Sequence, residues 1–166
     1  MKVPRIPLHD FPDVVLHAPE SATKGHAEYQ AGKGGDLRAA DVLTAQLICA
    51  AAVEQISALL AGQAIELVPI HALESAGVNE IPAALATVLS SRLGMPVNRS
   101  IVQLNSVGHT GADGFRRLAN QALFSGSVTP GQRYLVVDDF VGQGGRWPIS
   151  LDSYIRRVAR CWAPRS

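Results

Sequence analysis

Two apolar runs, AIELVPI at 64–70 and YLVV at 134–137, constrain this chain more than any other feature. Both are short and rich in aliphatic residues, the pattern of strands buried on both faces of a sheet. Around them, apolar residues recur at helical spacing. Leu37, Ala40, Leu43, Leu47, Ala51 and Leu59 predict one helix over 37–61, with Asp36 as its N-cap and Gly62 at its end. EIPAALATVLSSRL (80–93) predicts a second helix, opened by Pro82 in its first turn and closed by Gly94. SIVQL (100–104) predicts another strand, and FRRLANQALF (115–124) another helix. Strands alternating with helices predict an α/β fold with a mostly parallel sheet. A hydrophobic share of 47% against 17% charged suits such an interior.

The remaining sequence bounds the setting. Residues 1–35 are rich in Pro, Gly and His and predict an irregular N-terminal lobe, with VVLHA (14–18) its one strand-like run. A net charge of +1 gives no global attraction to nucleic acid or to an anionic membrane. The start, MKVPRIPLHD, lacks the apolar run of a signal peptide, and LICAAAVEQISALLA is interrupted by Glu54 and Gln55. Cys49 and Cys161 show no metal-ligand spacing, and Cys49 reads as a buried core thiol. A cytoplasmic location is expected.

In parallel sheets, ligands sit beyond the carboxyl ends of the strands. Two loops compete for that place here, 71–79 and 138–146. Asp138 and Asp139 supply two carboxylates at a strand end, able to accept hydrogen bonds from vicinal hydroxyls. Gly142, Gly144 and Gly145 allow backbone N–H groups to turn inward around an anion. His17 and His26 have no partner spacing and read as structural.

YLVVDDFVGQGG resembles the signature of the type I phosphoribosyltransferases: a hydrophobic strand, two acidic residues, a short loop, then Gly-Gly-Thr or Gly-Thr. Pro69 to Gly77 matches the family's pyrophosphate-side loop, and LNSVGHTGADGFRRLANQALFSG its mobile catalytic loop. The resemblance covers about 24–145. It implies a three-layer α/β/α, Rossmann-like fold and transfer of phosphoribosyl from 5-phosphoribosyl 1-pyrophosphate to an unidentified nitrogen acceptor. It implies Mg²⁺ as cofactor, held by Asp138 and Asp139 through water, with charge stabilisation rather than nucleophilic attack. It further implies catalytic roles for Asp138, Asp139, Arg116 and Arg117. Substrate contacts are implied for Val141, Gly142, Gln143, Gly144, Gly145, His71, Ala72, Leu73, Glu74 and His109. The implied partners are small molecules, with no nucleic acid and no membrane, and a homodimer is compatible with the family.

The motif then breaks. Arg146 stands where the family has Thr, and Pro148 opposes the helix that should follow. Deleting one nucleotide from codons for Gly-Thr-Leu-Ala-Asn-Leu yields Gly-Arg-Trp-Pro-Ile-Ser, the run from Gly145 to Ser150. The expected organisation is therefore a lobe at 1–35, a core at 36–145 and an out-of-frame tail at 146–166. The fold's C-terminal strands would then be missing and 134–137 would be left as a sheet edge. The rival for the tail is a basic amphipathic helix over 151–162. The rivals for function are a non-catalytic sensor of the pyrophosphate donor or a nucleotide and, less favoured, an acidic phospho-acceptor domain.

Overall fold

The computed structural model describes residues 13–70, 73–74, 77–103, 124–126, 128–129, 131–139 and 155–158. In chain order these form β1 (Asp13–Val14), α1 (Glu20–Gly25), α2 (Tyr29–Lys33), α3 (Leu37–Leu47) and α4 (Ala50–Leu60). β2 (Ile65–Pro69), β3 (Leu73–Glu74), β4 (Gly77–Val78) and α5 (Ile81–Leu93) follow. The last elements are β5 (Val102–Gln103), β6 (Phe124–Ser125), β7 (Arg133–Val137) and β8 (Ile155–Val158).

The main sheet has the order β1-β8-β7-β2, with every pair parallel. Its longest pairing is that of β7 with β2 at one side of the sheet, in register from Ile65 opposite Arg133 to Pro69 opposite Val137. Tyr134, Leu135, Val136 and Val137 are all buried, as are Leu67 and Val68, which is why both strands read as unbroken apolar runs. Residue 97 forms an isolated parallel bridge with Leu67, on a stretch where Leu67 donates to Pro96 O and Asn98 donates to Leu67 O.

The helices are set by local chemistry and tertiary packing together. Asp36 caps α3 by accepting from Ala39 N at 3.0 Å. Pro82 lies in the first turn of α5, and Gly94 ends it in the left-handed conformation at φ 68°. The expected single helix over 37–61 is two helices. Ile48 and Cys49 are extended, Cys49 N reaches the carbonyl of His17, and α3 and α4 are bent 87° apart. A periodic pattern cannot register that tertiary hydrogen bond. Among the described residues no single helix is long and apolar enough to cross a membrane, and only this bent pair passes that test together. Both of its helices give residues to the interior: Ala40 and Leu43 from α3, Ala52, Ile56 and Leu60 from α4.

One cluster joins Ala52, Ile56 and Leu60 to Ile65, Leu67, Leu85, Leu89, Leu135 and Val137. A second joins Tyr29, Ala40, Leu43, Ile81 and Ala84, so that α2, α3 and α5 stack on one another. Cys49, expected as a buried core thiol, is only partly buried against the first cluster and is disulfide-bonded.

The expected three-layer α/β/α phosphoribosyltransferase-like fold is not what the described chain forms. Helix predominates, and helices pack largely on helices, with α5 the chief helical contact of β2 and β7. The expected strand over 100–104 shortens to β5 and pairs antiparallel with β6, outside the main sheet. Nor is β7 an edge, because β8, from the stretch expected to be a tail, lies between it and β1. Residues 1–35 contribute β1, α1 and α2. The helix expected over 115–124 lies outside the described residues.

Candidate functional site

Asp138 and Asp139 leave the carboxyl end of β7 beside the end of β2, where Ile70 N donates to Val137 O at 2.9 Å. Asp139 N in turn donates to Asp138 Oδ1 at 2.8 Å, which fixes the two residues relative to each other. Two segments converge on the Asp139 side chain. Lys33, the last residue of α2, places Nζ 3.2 Å from Asp139 Oδ2. Asn79, between β4 and α5, donates from Nδ2 to the same oxygen at 3.0 Å. Its other side-chain atom, Oδ1, accepts from Ile81 N at 3.2 Å at the start of α5. Asn79 therefore ties a helix terminus to the acidic pair, and at 2% exposure it does so in the interior.

Local backbone holds these segments together. Gly77 has φ 135°, and a Cβ there would collide with the carbonyl of Gly34, so β4 lies directly against the end of α2. Glu80 N donates to Gly32 O at 3.1 Å across the same seam. Lys33 Nζ lies 5.7 Å from the Tyr29 ring centroid, within cation–π range.

The electrostatics follow from burial. The Asp139 side chain is 6% exposed and that of Lys33 19%, so the pair sits where charge is poorly screened. Desolvation, then the neighbouring Asp139, holds the Asp138 carboxyl well above the usual carboxylate range. His17 is buried, and desolvation lowers its pKa against the opposing influence of Asp139, so burial favours the neutral imidazole. Its Nδ1 has no hydrogen-bond partner among the described residues. Burial also raises the Tyr29 phenol, with Lys33 working in the opposite direction.

Of the residues singled out from the sequence, Asp138 and Asp139 stand together in this cluster. Leu73 and Glu74 form β3, paired with Val78 and Gly77 in a two-stranded ribbon. His71, Ala72, His109, Arg116, Arg117, Val141, Gly142, Gln143, Gly144 and Gly145 lie outside the described residues. The sequence does not single out Lys33 or Asn79, and His17 reads there as structural. Lys33 sits in the run GKGG, whose glycines read as punctuation. Asn79 stands two residues before the first residue of α5, a position where an Asx side chain can bond the chain ahead of it.

The donor set does not fit directly held Mg²⁺, which requires near-octahedral oxygen ligation. Asp139 Oδ2 already accepts from both Lys33 and Asn79. Among the described residues no group of three or more His, Cys, Asp or Glu could hold a metal ion.

Two curated proteins are similar to this chain. One, named protein TraN, from Escherichia coli, is 44% identical over 151 residues, covering 91% of this chain and 34% of that protein. The other, an uncharacterised protein of Haemophilus influenzae, is 38% identical over 146 residues, covering 88% of this chain and 32% of that protein. The chain thus spans about a third of the length of the curated relatives it matches. No family model matches. These findings overturn the resemblance to phosphoribosyltransferases, and with it the transferase activity, the pyrophosphate-donor chemistry and the donor- or nucleotide-sensing alternative. Neither relative bears such a name, and the described fold is not of that type. The acidic pair at a parallel strand end is a local arrangement that unrelated proteins can share.

Proposed function

We propose that this chain is a small-molecule-binding module, with its site at the carboxyl ends of β2 and β7. One observation carries the reading. Lys33, Asn79 and Asp139 come from widely separated parts of the sequence and meet on a single carboxylate oxygen, at the end of a parallel strand pair. Parallel sheets present ligands at that end. The buried Nδ1 of His17, unpartnered among the described residues and electrostatically coupled to Asp139, is a further polar atom beside the cluster.

The ligand class follows from the groups available. A carboxylate held by an ammonium and an amide, beside a carboxyl that resists ionisation, matches a neutral hydroxyl-bearing molecule better than a free anion or cation. Aldoses, polyols and hydroxylated amides have that chemistry. Thermal melting of the full chain against such a panel tests the proposal. A true ligand at about a hundred times its Kd stabilises by about 2.7 kcal/mol. That shift is expected to vanish in Asp139→Asn. A panel in which no compound raises the melting temperature of the parent above that of the variant sinks the reading.

A further inference from the structure

We infer that Lys33 serves as a built-in cation for the Asp138–Asp139 pair, so that the site is closed to divalent metal and takes its ligand without one. The inference deepens the small-molecule reading above and rests on it for the presence of a ligand, but its electrostatic core stands separately.

Two adjacent carboxylates at a strand end are ordinarily a place for a hard dication, since oxygen donors and concentrated negative charge are what Mg²⁺ requires. Here that charge is already matched. Lys33 Nζ is 3.2 Å from Asp139 Oδ2, and Asn79 Nδ2 is 3.0 Å from the same atom, which uses both of its lone-pair directions. Asp138 Oδ1 is engaged by Asp139 N at 2.8 Å. A dication approaching the pair must displace or face the ammonium of a side chain that is only 19% exposed, where a charge is poorly screened.

The ammonium is also held in place. Lys33 ends α2, and its Nζ lies 5.7 Å from the Tyr29 ring centroid within that same helix. Gly32, the residue before it, packs so closely on Ala40 of α3 and Ile81 of α5 that an added Cβ would sit 3.2 Å from each. The lysine is therefore mounted on a helix end wedged against two others, unlike a surface side chain free to swing aside. What the cluster offers a ligand is a fixed ammonium–carboxylate pair, which donates to and accepts from one hydroxyl group without a bridging metal.

The test uses MgCl₂ alone as probe on the full chain, read by thermal melting against EDTA at matched ionic strength. The parent is expected to melt at the same temperature in both. Lys33→Met uncovers the carboxylates and is expected to gain about 2–4 °C in MgCl₂. Adding Asp139→Asn to that variant should remove the gain. A parent that is stabilised by MgCl₂ and loses the effect in Asp139→Asn overturns the inference. So does a folded Lys33→Met chain indifferent to Mg²⁺. If Lys33→Met does not fold, calorimetric titration of the parent with MnCl₂ decides: saturable binding abolished by Asp139→Asn overturns the inference, and its absence upholds it. Failure of the hydroxylated panel would remove the ligand while leaving these metal results intact, so the two ideas fail separately.

Discussion

Lys33 Nζ and Asp139 Oδ2 stand 3.2 Å apart, joining the end of α2 to the residue pair that follows β7. The carboxylate side chain is nearly inaccessible, so its charge depends on this partner and on Asn79 rather than on water. Removing one member of a buried pair leaves the other uncompensated, which costs more than the pair contributes. Lys33→Met is therefore expected to lower stability by about 2–4 kcal/mol. Adding Asp139→Asn should recover part of that loss. Urea unfolding of the two single variants and the double gives the coupling directly, and strictly additive losses would show that the contact has no energetic weight.

Asn79 has two duties, and they can be separated. Its Oδ1 accepts from Ile81 N at the start of α5, while its Nδ2 donates to Asp139. Asn79→Ala ends both and is expected to cost about 2–3 kcal/mol, since it also strands a buried carboxylate oxygen. Asn79→Asp keeps an acceptor for the helix start but sets a second carboxylate against Asp139. Its penalty should be small in acid, where the new group is protonated, and should grow as pH rises through the carboxylate range. A pH-independent penalty for Asn79→Asp would disconnect Asn79 from Asp139.

Much of this architecture is legible in residues 64–94 and 134–137. The apolar runs of β2 and β7, the Pro82 opening and the Gly94 stop all express local preferences that the fold keeps. What the sequence conceals is tertiary. The break at Ile48 and Cys49 falls in an apolar, helix-compatible stretch and arises from a hydrogen bond to His17. Val102 and Gln103 look like another parallel strand but pair antiparallel with β6, because the β-branched pattern of a strand does not say which neighbour it will find. At the site, the two aspartates stand out because they are adjacent and follow a strand. Lys33 and Asn79 do not, since only the packing of β4 against α2 brings them to the same oxygen.

The acid response should have two opposing components. Burial lowers the folded pKa of His17, so the unfolded chain takes up the proton first. His17 therefore contributes stability that is present above about pH 6.5 and is lost as pH falls below it towards the folded value. Asp139 opposes this by favouring the imidazolium, and Lys33 in turn occupies Asp139. For Asp138 the folded pKa is raised, so its contribution is favourable in acid and disappears as pH rises from about 4 through the folded value. Asp138→Asn is accordingly expected to stabilise at neutral pH and to be close to neutral near pH 3. His17→Leu is expected to flatten the loss of stability just below pH 6.5. Urea midpoints of parent and variants across pH 3–8 provide the differences, and parallel curves for parent and His17→Leu would refute a titrating role for that ring.

The placement of β8 makes the C-terminal stretch a matter of stability. Tyr134, Leu135 and Val136 of β7 pair with Ile155, Arg157 and Val158, and β8 in turn pairs with β1 at Asp13 and Val14. Deleting residues 146–166 would remove the strand between β1 and β7. The backbone groups on that side of β7 would lose their partners, and β1 would lose its strand neighbour. At about 0.5–1.5 kcal/mol for each hydrogen bond, the loss should reach several kcal/mol, a large part of the stability of a domain of this size. Substituting the same stretch with a Gly-Ser sequence of equal length should reproduce the loss, since it restores length but not strand propensity. An arbitrary, out-of-frame tail would behave differently: truncation at 145 would leave the melting transition where it was. Calorimetry of the full, truncated and substituted chains separates these outcomes, and hydrogen exchange at Tyr134 to Val136 locates the effect. Slow exchange that survives truncation would mean that β7 needs no partner on that side.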